Sequence, residues 1–533
     1  MTSQTYKTLN QWWDFRLKLY GEGIFTGLLT SFVIVCFRFS LEKAELFRTK
    51  VFLFAQTKNH GVLVLWFIAL ILIGFLLGKL TQWEPLASGS GIPQVKGVLL
   101  GKIKTNWLSV LIVKFWGGLL AIGAGLSLGR EGPSVQIGAA VGQGMSRLLG
   151  RLRIEERYLI TCGASAGLAT AFNAPLAGVI FALEELHKNF SPLVLTSAMV
   201  SSLTADFISQ QFFGQKPIFS FHNLPVLPLN YYLYLIVLGL MMGAFGVFFN
   251  YSLIKISNLY KKIKYLPKTL IPLIPLAFAG ILGLVLPEVL GGGHKIIESL
   301  IQNIFSFKVL LLLLAVKFLF TMASYGSGVP GGIFLPLLVI GALAGKIYGI
   351  AITHYLSADP MFLNNFIVLA MAAYFTAIVK APVTGSILIT EMTGSFNHLL
   401  PLITVSMTAY FVCDLLKSEP IYETLLGRLL PAKGKLDSAS EKGNKVLLEI
   451  AVSLGSKVAG KKIRDLIWPY HCLIVGIKRG NSEIIPTGDT VLFPGDYLIV
   501  LSNQDKMPEV RESLTKMCSE CSKFLNESDS SNP

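Results

Sequence analysis

The stretch Gly129-Arg130-Glu131-Gly132-Pro133 decides how this chain is read. It closes an apolar run, 108–128, dominated by Leu, Ile, Val, Ala and Gly, in which Lys114 is the one charge. Small-residue and apolar sequence resumes at Pro133. An acid within such a run is costly to hold in a membrane and marks a functional site. The flanking glycines allow the helix to break, so that free backbone N–H groups can face a ligand, as in discontinuous transporter helices.

The rest of the chain supports a membrane setting. Of 533 residues, 53% are hydrophobic and 14% charged, and the mean hydropathy is +0.60; soluble domains carry about 25% charged residues. Candidate spans are 23–37, 61–80, 108–128, 159–183, 231–249, 270–290, 309–322, 335–352, 366–378 and 399–416. Several fall short of the roughly 20 residues of a straight span or contain Gly and Pro, which predicts tilted and broken helices. The fold class expected is an all-α polytopic membrane domain followed by a small α+β soluble domain. Residues 1–20 are polar, carry Lys7, Arg16 and Lys18, and contain no cleavable signal. They read as a cytoplasmic N-terminal segment under the positive-inside rule.

Formal net charge is +15. Residues 431–533 hold 14 Lys and Arg against 13 Asp and Glu, and the other 430 residues hold 32 against 18. The excess therefore lies in the membrane part, where loop bias and an anion-attracting field both account for it. The charges are dispersed among hydrophobic spans, which speaks against nucleic acid as a partner.

Two echoes suggest an internal duplication. Gly89-Ser90-Gly91-Ile92-Pro93 returns as Gly326-Ser327-Gly328-Val329-Pro330, and 174–185 (APLAGVIFALEE) returns as 381–392 (APVTGSILITEM). The expected repeats span about 21–229 and 230–430 within a membrane domain of 21–430. Such repeats often have inverted topology and place the substrate site at their interface. Residues 431–445 read as a polar linker and 446–515 as a small soluble α+β domain, which a family resemblance given below would make regulatory. In that domain 446–452, 471–478 and 483–501 read as strands and 460–467 as a short helix, with turns at 486–489 and 494–496. Residues 516–533 read as a polar tail. Of six cysteines, Cys36, Cys162 and Cys413 sit in apolar runs. Cys518 and Cys521 form a lone CxxC placed in the tail, weak evidence for metal or redox chemistry.

Four elements in order carry a family resemblance: GSGIP (89–93), GREGP (129–133), GIFLP (332–336) and Tyr422. Residues 20–430 resemble the CLC family of chloride channels and proton-coupled chloride transporters. The resemblance implies a homodimer with one pathway per subunit, a multi-pass protein of the cell membrane with both termini cytoplasmic. The motif residues Gly89, Gly91, Pro93, Gly129, Arg130, Gly132, Pro133, Gly332 and Pro336 would shape the selectivity region.

Each side chain there also has its own physical reading. Ser90 can cap a helix or donate one hydrogen bond to an anion; the resemblance implies chloride coordination and a preference for chloride over nitrate or fluoride. The resemblance assigns chloride to the backbone N–H groups of Ile333 and Phe334, while Phe334 also reads as packing. Tyr422 reads as an interfacial aromatic or, by resemblance, as the second hydroxyl on chloride, forming the inner constriction with Ser90. Glu131 could pair with Arg130; by resemblance it is the gating glutamate, occupying an anion site when ionised and leaving it when protonated. Glu184 and Glu185 end an apolar run. By resemblance Glu185 is the internal proton relay of exchangers, and Glu184, partnered in the repeat by Glu391, is structural.

One departure stands out. The family often has acids where this chain has Gln94 and Lys96; Lys96 or Lys114, if near Glu185, would favour its ionised form. His187 could assist Glu185 or lie at the surface. Residues 446–501 resemble a TrkA/RCK C-terminal domain, carried by Gly460-Lys461-Lys462-Ile463 and 492–500 (LFPGDYLIV), which implies dimerisation and a small-molecule or nucleotide ligand. The function expected is chloride/proton antiport across the lipid bilayer, with chloride and protons as cargo, no cofactor, no metal and no enzymatic activity. The alternatives are a passive chloride channel of the same fold, gated by voltage or pH, and a ligand sensor in which transport is secondary.

Overall fold

The computed structural model describes residues 3–519 except 57–59, 152, 189–191, 216, 220, 222–223, 264, 303–304, 431–444, 454, 480–481 and 504–505. The chain divides into two units, Met1–Leu430 and Pro431–Pro533.

The first unit is helical. Its first series comprises α1 (Ser3–Gln56), α2 (His60–Trp83), α3 (Ile92–Leu99), α4 (Trp107–Gly123), α5 (Glu131–Leu148), α6 (Arg153–Phe172), α7 (Pro175–Phe181) and α8 (Pro192–Phe213). A second series follows: α9 (Tyr232–Lys262), α10 (Leu273–Val285), α11 (His294–Ile301), α12 (Phe307–Gly326), α13 (Phe334–Leu356), α14 (Leu363–Val379), α15 (Pro382–Thr393) and α16 (Leu399–Leu415). A short helix, α17 (Ile421–Leu429), ends the unit. Among the described residues nine helices are long and apolar enough to cross a membrane.

The two series repeat one another element by element. The eight-residue helices α3 and α11 both start after a glycine in the left-handed region, Gly91 (φ +93°) and Gly293 (φ +92°). In α4 and α12 a fully buried lysine is held by two backbone carbonyls. Lys114 Nζ donates to Ala87 O (2.9 Å) and Gly89 O (2.6 Å), and Lys317 Nζ to Val289 O (2.9 Å) and Gly291 O (2.7 Å). Carbonyl pairs of this kind satisfy the ammonium donors, without which burial would be prohibitive. Helices α5 and α13 begin with Glu131 and Phe334, each followed two residues on by a proline. Proline is tolerated in a first turn because its missing N–H has no intrahelical partner there.

The series are also inverted. Gly129 and Gly332 form an antiparallel bridge immediately before α5 and α13. Glu184, just beyond α7, accepts the Val383 and Thr384 amides at the start of α15 (3.2 and 2.7 Å). Glu391, in α15, accepts the Leu176 and Ala177 amides at the start of α7 (3.1 and 2.7 Å). Each helix thus sends an acid from its far end to the other's first turn, where a negative charge is favoured. The two helices therefore run antiparallel.

Several boundaries differ from the sequence reading. Gly326–Pro330 is not the repeat counterpart of Gly89–Pro93: it ends α12, whereas the counterpart before α11 is Gly291-Gly292-Gly293. The two glycine-rich stretches instead touch, with the Gly89 amide donating to Gly328 O and Val329 O, and the Gly331 amide to Gly89 O. Close backbone approach demands glycine whichever way it arises. The run 159–183 is two helices, α6 and α7, divided at Asn173, whose φ is +48°. Within the expected N-terminal segment, residues 3–20 are helical and continuous with the first span, because α1 runs from Ser3 to Gln56. Helix α8, rich in Ser, Thr and Gln, is a further apolar span, absent from the candidate spans above.

The second unit contains an antiparallel sheet of order β1-β4-β2-β3, with β1 Lys445–Ala451, β2 Cys472–Arg479, β3 Ser482–Ile484 and β4 Tyr497–Asn503. Helix α18 (Met507–Ser519) places Val510, Leu514 and Cys518 against Leu498, Val500 and Ile477 of the sheet. Residues 516–519 therefore belong to the domain rather than to a tail, because Cys518 is core and its carbonyl accepts the Ser453 amide at 2.9 Å. Cys521 lies outside the described residues. The helix expected at 460–467 is a single 3-10 turn, Ile463–Asp465. Just before that turn, Lys462 is extended and bridges Val491, which leaves no room for a longer helix to start there. At the Pro494-Gly495-Asp496 turn, the Asp496 carboxylate receives a two-pronged contact from Arg479 (2.8 and 2.7 Å) and the Phe493 amide (2.8 Å).

Candidate functional site

The inverted repeat brings helix N-termini together. Gly129 N donates to Gly332 O at 2.7 Å and Gly332 N to Gly129 O at 2.8 Å, which fixes the first turns of α5 and α13 beside each other. The leading amides of those turns, from Glu131, Gly132, Ile333, Phe334 and Leu335, have no intrahelical acceptor. Together with the helix dipoles they form a ready anion site.

Ser90 reaches this place from the loop before α3. Its side chain is buried and its Oγ has no protein partner. Two glycines permit the approach. Gly91 has a left-handed φ and faces Gln136, where an added Cβ would lie 2.5 Å from Oε1. At Gly132 an added Cβ would lie 2.6 Å from Ser90 Oγ and 2.7 Å from Ser90 O. Tyr422, the second residue of α17, is wholly buried, and its hydroxyl faces Ser90 without a hydrogen-bond partner. Two buried, unpartnered hydroxyls facing one another are expensive unless something between them accepts their protons.

Ile333 and Phe334 are both fully buried. The Phe334 ring packs on Phe172 and Phe375, with centroids 5.1 and 4.6 Å apart, so packing turns the ring away and leaves the amide at the helix end.

Glu131 is 1% exposed, and its Oε2 has no protein partner. That oxygen shares the space over the Gly129 Cα with the Leu335 amide nitrogen. The carboxylate thus sits at the N-terminus of α13. Arg130 does not neutralise it: the Arg130 guanidinium turns to Glu42, at 3.8 Å. Beyond Glu131 opens a cavity of about 510 Å³, lined by Arg38, Glu42, Arg48, Arg130 and His294 among others. Sequence alone offered no signal for this vestibule, since its walls come from α1, the loop before α5 and the start of α11.

Glu185 lies in a π-helical turn spanning Ala182–His187, and is buried. Its Oε1 accepts Lys96 Nζ at 2.8 Å, with both side chains almost fully enclosed. Lys96 also contacts Glu423 Oε1 at 3.3 Å, and Lys188 contacts the same oxygen of Glu423. Glu423 follows Tyr422 in α17, and nothing in the sequence distinguishes it from other acids that follow a span. Lys114 is not part of this cluster; it holds the Gly89 carbonyl instead. His187 pairs with Thr161, at 2.6 Å, rather than with Glu185. Among the described residues no group of three or more His, Cys, Asp and Glu could hold a metal ion.

Residues 71–414 match the model of the voltage gated chloride channel family, and residues 447–515 match the TrkA-C domain model. The H(+)/Cl(-) exchange transporter ClcA of Vibrio cholerae is 34% identical over 420 residues, covering 76% of this chain and 88% of its own. Its namesake from Klebsiella pneumoniae is 33% identical over 431 residues, covering 78% and 89%. Among solved structures, a slow cyanobacterial Cl-/H+ antiporter aligns with a TM-score of 0.75 at 30% identity, over 78% of this chain and 98% of that one. A CLC-type fluoride/proton antiporter shares the fold, with a TM-score of 0.62 at 24% identity over 76% of this chain and 97% of that one.

Proposed function

Because this chain belongs to the CLC family of voltage gated chloride channels and their exchanger relatives, we propose that it is a chloride/proton antiporter. The observation that carries the reading is the buried file Glu131, Ser90–Tyr422, Glu185, whose middle is two hydroxyls without a partner.

In this reading a chloride ion lies between Ser90 Oγ and Tyr422 Oη and also receives the amides of Ile333 and Phe334. The hydroxyls supply neutral donors and the helix ends supply positive potential without a counter-charge to trap the ion. Glu131 is the gate. Ionised, it takes the place of an anion at the first turn of α13. Protonated, it no longer competes there and can move into the vestibule. Proton and chloride occupancy then alternate at one point. Glu185 supplies protons from the other side, and Glu184 is kept for structure by capping α15.

The same reading makes the protein a homodimer in the cell membrane with both termini cytoplasmic, the Glu185 side facing the cytoplasm. The TrkA-C domain would then take a small ligand. No covalent step is needed, and the transported chloride is cargo rather than a cofactor. One observation favours passive conduction instead: the proposed relay acid is already paired with Lys96. Simultaneous chloride and proton flux in liposomes separates the two. An outward chloride gradient that drives protons uphill supports exchange; chloride flow without proton movement supports a channel.

A further inference from the structure

Lys96 stands where three parts of the pathway meet. It belongs to α3, which starts directly after Ser90 and Gly91. Its ammonium lies 2.8 Å from Glu185 and 3.3 Å from Glu423, and Glu423 is the neighbour of Tyr422 in α17. One cation therefore touches the proposed proton acid and, through the helix it sits on and the helix it reaches, both hydroxyls of the inner constriction. The charged groups facing it are Glu185 and Lys188 from the π-helical turn and its C-cap, and Glu423 from α17, the residue after Tyr422. His187 is turned to Thr161, and Gln94 of the same helix is committed to Ser88 O at 2.8 Å.

We propose that Lys96 is a positioning residue that couples protonation of Glu185 to the width of the Ser90–Tyr422 constriction. The proposal rests on the exchanger reading above. With Glu185 ionised, the ammonium is shared between two carboxylates and holds Glu185 in place. When Glu185 takes a proton, its attraction for the ammonium falls. With Glu185 neutral, Glu423 is the carboxylate left within reach of the ammonium, which among the described residues has no pair of backbone carbonyls of the kind that holds Lys114 and Lys317, and it shifts to Glu423. That shift draws α17 towards α3 and closes Tyr422 on Ser90. Chloride is then held back from the Glu185 side while the proton is aboard, which is the condition that prevents slippage. Loss of the proton returns the ammonium to Glu185 and releases α17. Lys188, on the same oxygen of Glu423, keeps that carboxylate in reach during both states.

The test uses the full chain in liposomes, comparing wild type with Lys96→Met, Lys96→Arg and Glu423→Gln. Proton-to-chloride ratio and the pH profile of chloride turnover are measured together. Lys96→Met is expected to lower the ratio below that of the wild type and to flatten the pH profile. Lys96→Arg is expected to restore both, since it keeps the charge. Glu423→Gln is partly exposed, tolerates substitution better and is expected to follow Lys96→Met. A wild-type ratio and profile in folded Lys96→Met, or in Glu423→Gln should Lys96→Met not fold, would overturn the inference while the wild type still exchanges. Chloride movement without protons in the wild type would overturn the exchanger reading itself, and the inference with it.

Discussion

Gly129 and Gly332 exchange both of their backbone hydrogen bonds, at 2.7 and 2.8 Å, across the join between the two inverted halves. This short antiparallel bridge sets the first turns of α5 and α13 beside one another. Glu131 is thereby delivered to the end of a helix from the other repeat, a placement that no local sequence preference would produce.

The closeness of Ser90 and Gly132 leads to one prediction. A methyl at residue 132 would lie 2.6 Å from Ser90 Oγ and 2.7 Å from the Ser90 carbonyl. Gly132→Ala must displace the Ser90 loop, at a cost of about 1–3 kcal/mol. Chloride affinity by isothermal titration calorimetry is expected to weaken about tenfold or more. Unchanged affinity would place the anion away from Ser90.

Glu131→Gln is expected to leave chloride transport in place and remove its dependence on pH. Glutamine is close in shape to protonated glutamate and cannot carry the charge that competes for the helix end. Turnover measured between acidic and neutral pH should be flat, whereas the wild type varies. A variant that keeps the wild-type pH profile would remove Glu131 from the gate.

The reciprocal caps predict a loss of stability without a direct loss of ion contacts. Glu184→Ala leaves the Val383 and Thr384 amides unpaired, and Glu391→Ala those of Leu176 and Ala177. Each is expected to cost about 1–2 kcal/mol, the range for lost helix caps. Thermal unfolding in detergent should show a lower Tm for each single variant. A Tm equal to wild type in both would mean that water replaces the caps freely.

In the C-terminal unit, burial alone would raise the Asp496 carboxyl, but the Arg479 guanidinium and the Phe493 amide outweigh it and hold the group below its ordinary value. A depressed folded-state value stabilises the fold above the unfolded value of about 3.9. The contribution is lost as pH falls through the folded value. Hydrogen exchange across 493–503 should therefore be faster in Asp496→Asn than in wild type at neutral pH. The two should converge below about pH 4. A difference that persisted in acid would mean that the turn does not depend on the ionised carboxylate.

Some of this was visible in the sequence, for identifiable reasons. Glu131 was visible because a charge between glycines contrasts with its apolar surroundings. The 174–185 echo was visible because both copies open with Ala-Pro and end near an acid, although the swapped capping was not. Ser90 and Tyr422 had to come from resemblance, because a buried hydroxyl awaiting an anion looks in sequence like any cap or interfacial aromatic. The echo between 89–93 and 326–330 misled because glycine marks close backbone approach, whether between repeat equivalents or between strangers. Lys96 stands in the sequence where related proteins often carry an acid, but its tie to Glu423 depends on two elements more than 300 residues apart in the chain.

Exchange through Glu131 and Glu185 can be measured as proton uptake driven by a chloride gradient in liposomes holding wild type or Glu185→Ala. Uphill proton movement is expected in the wild type, and chloride flux with no proton movement in Glu185→Ala. Proton pumping by Glu185→Ala at the wild-type ratio, or none by the wild type, would contradict exchange through these two acids.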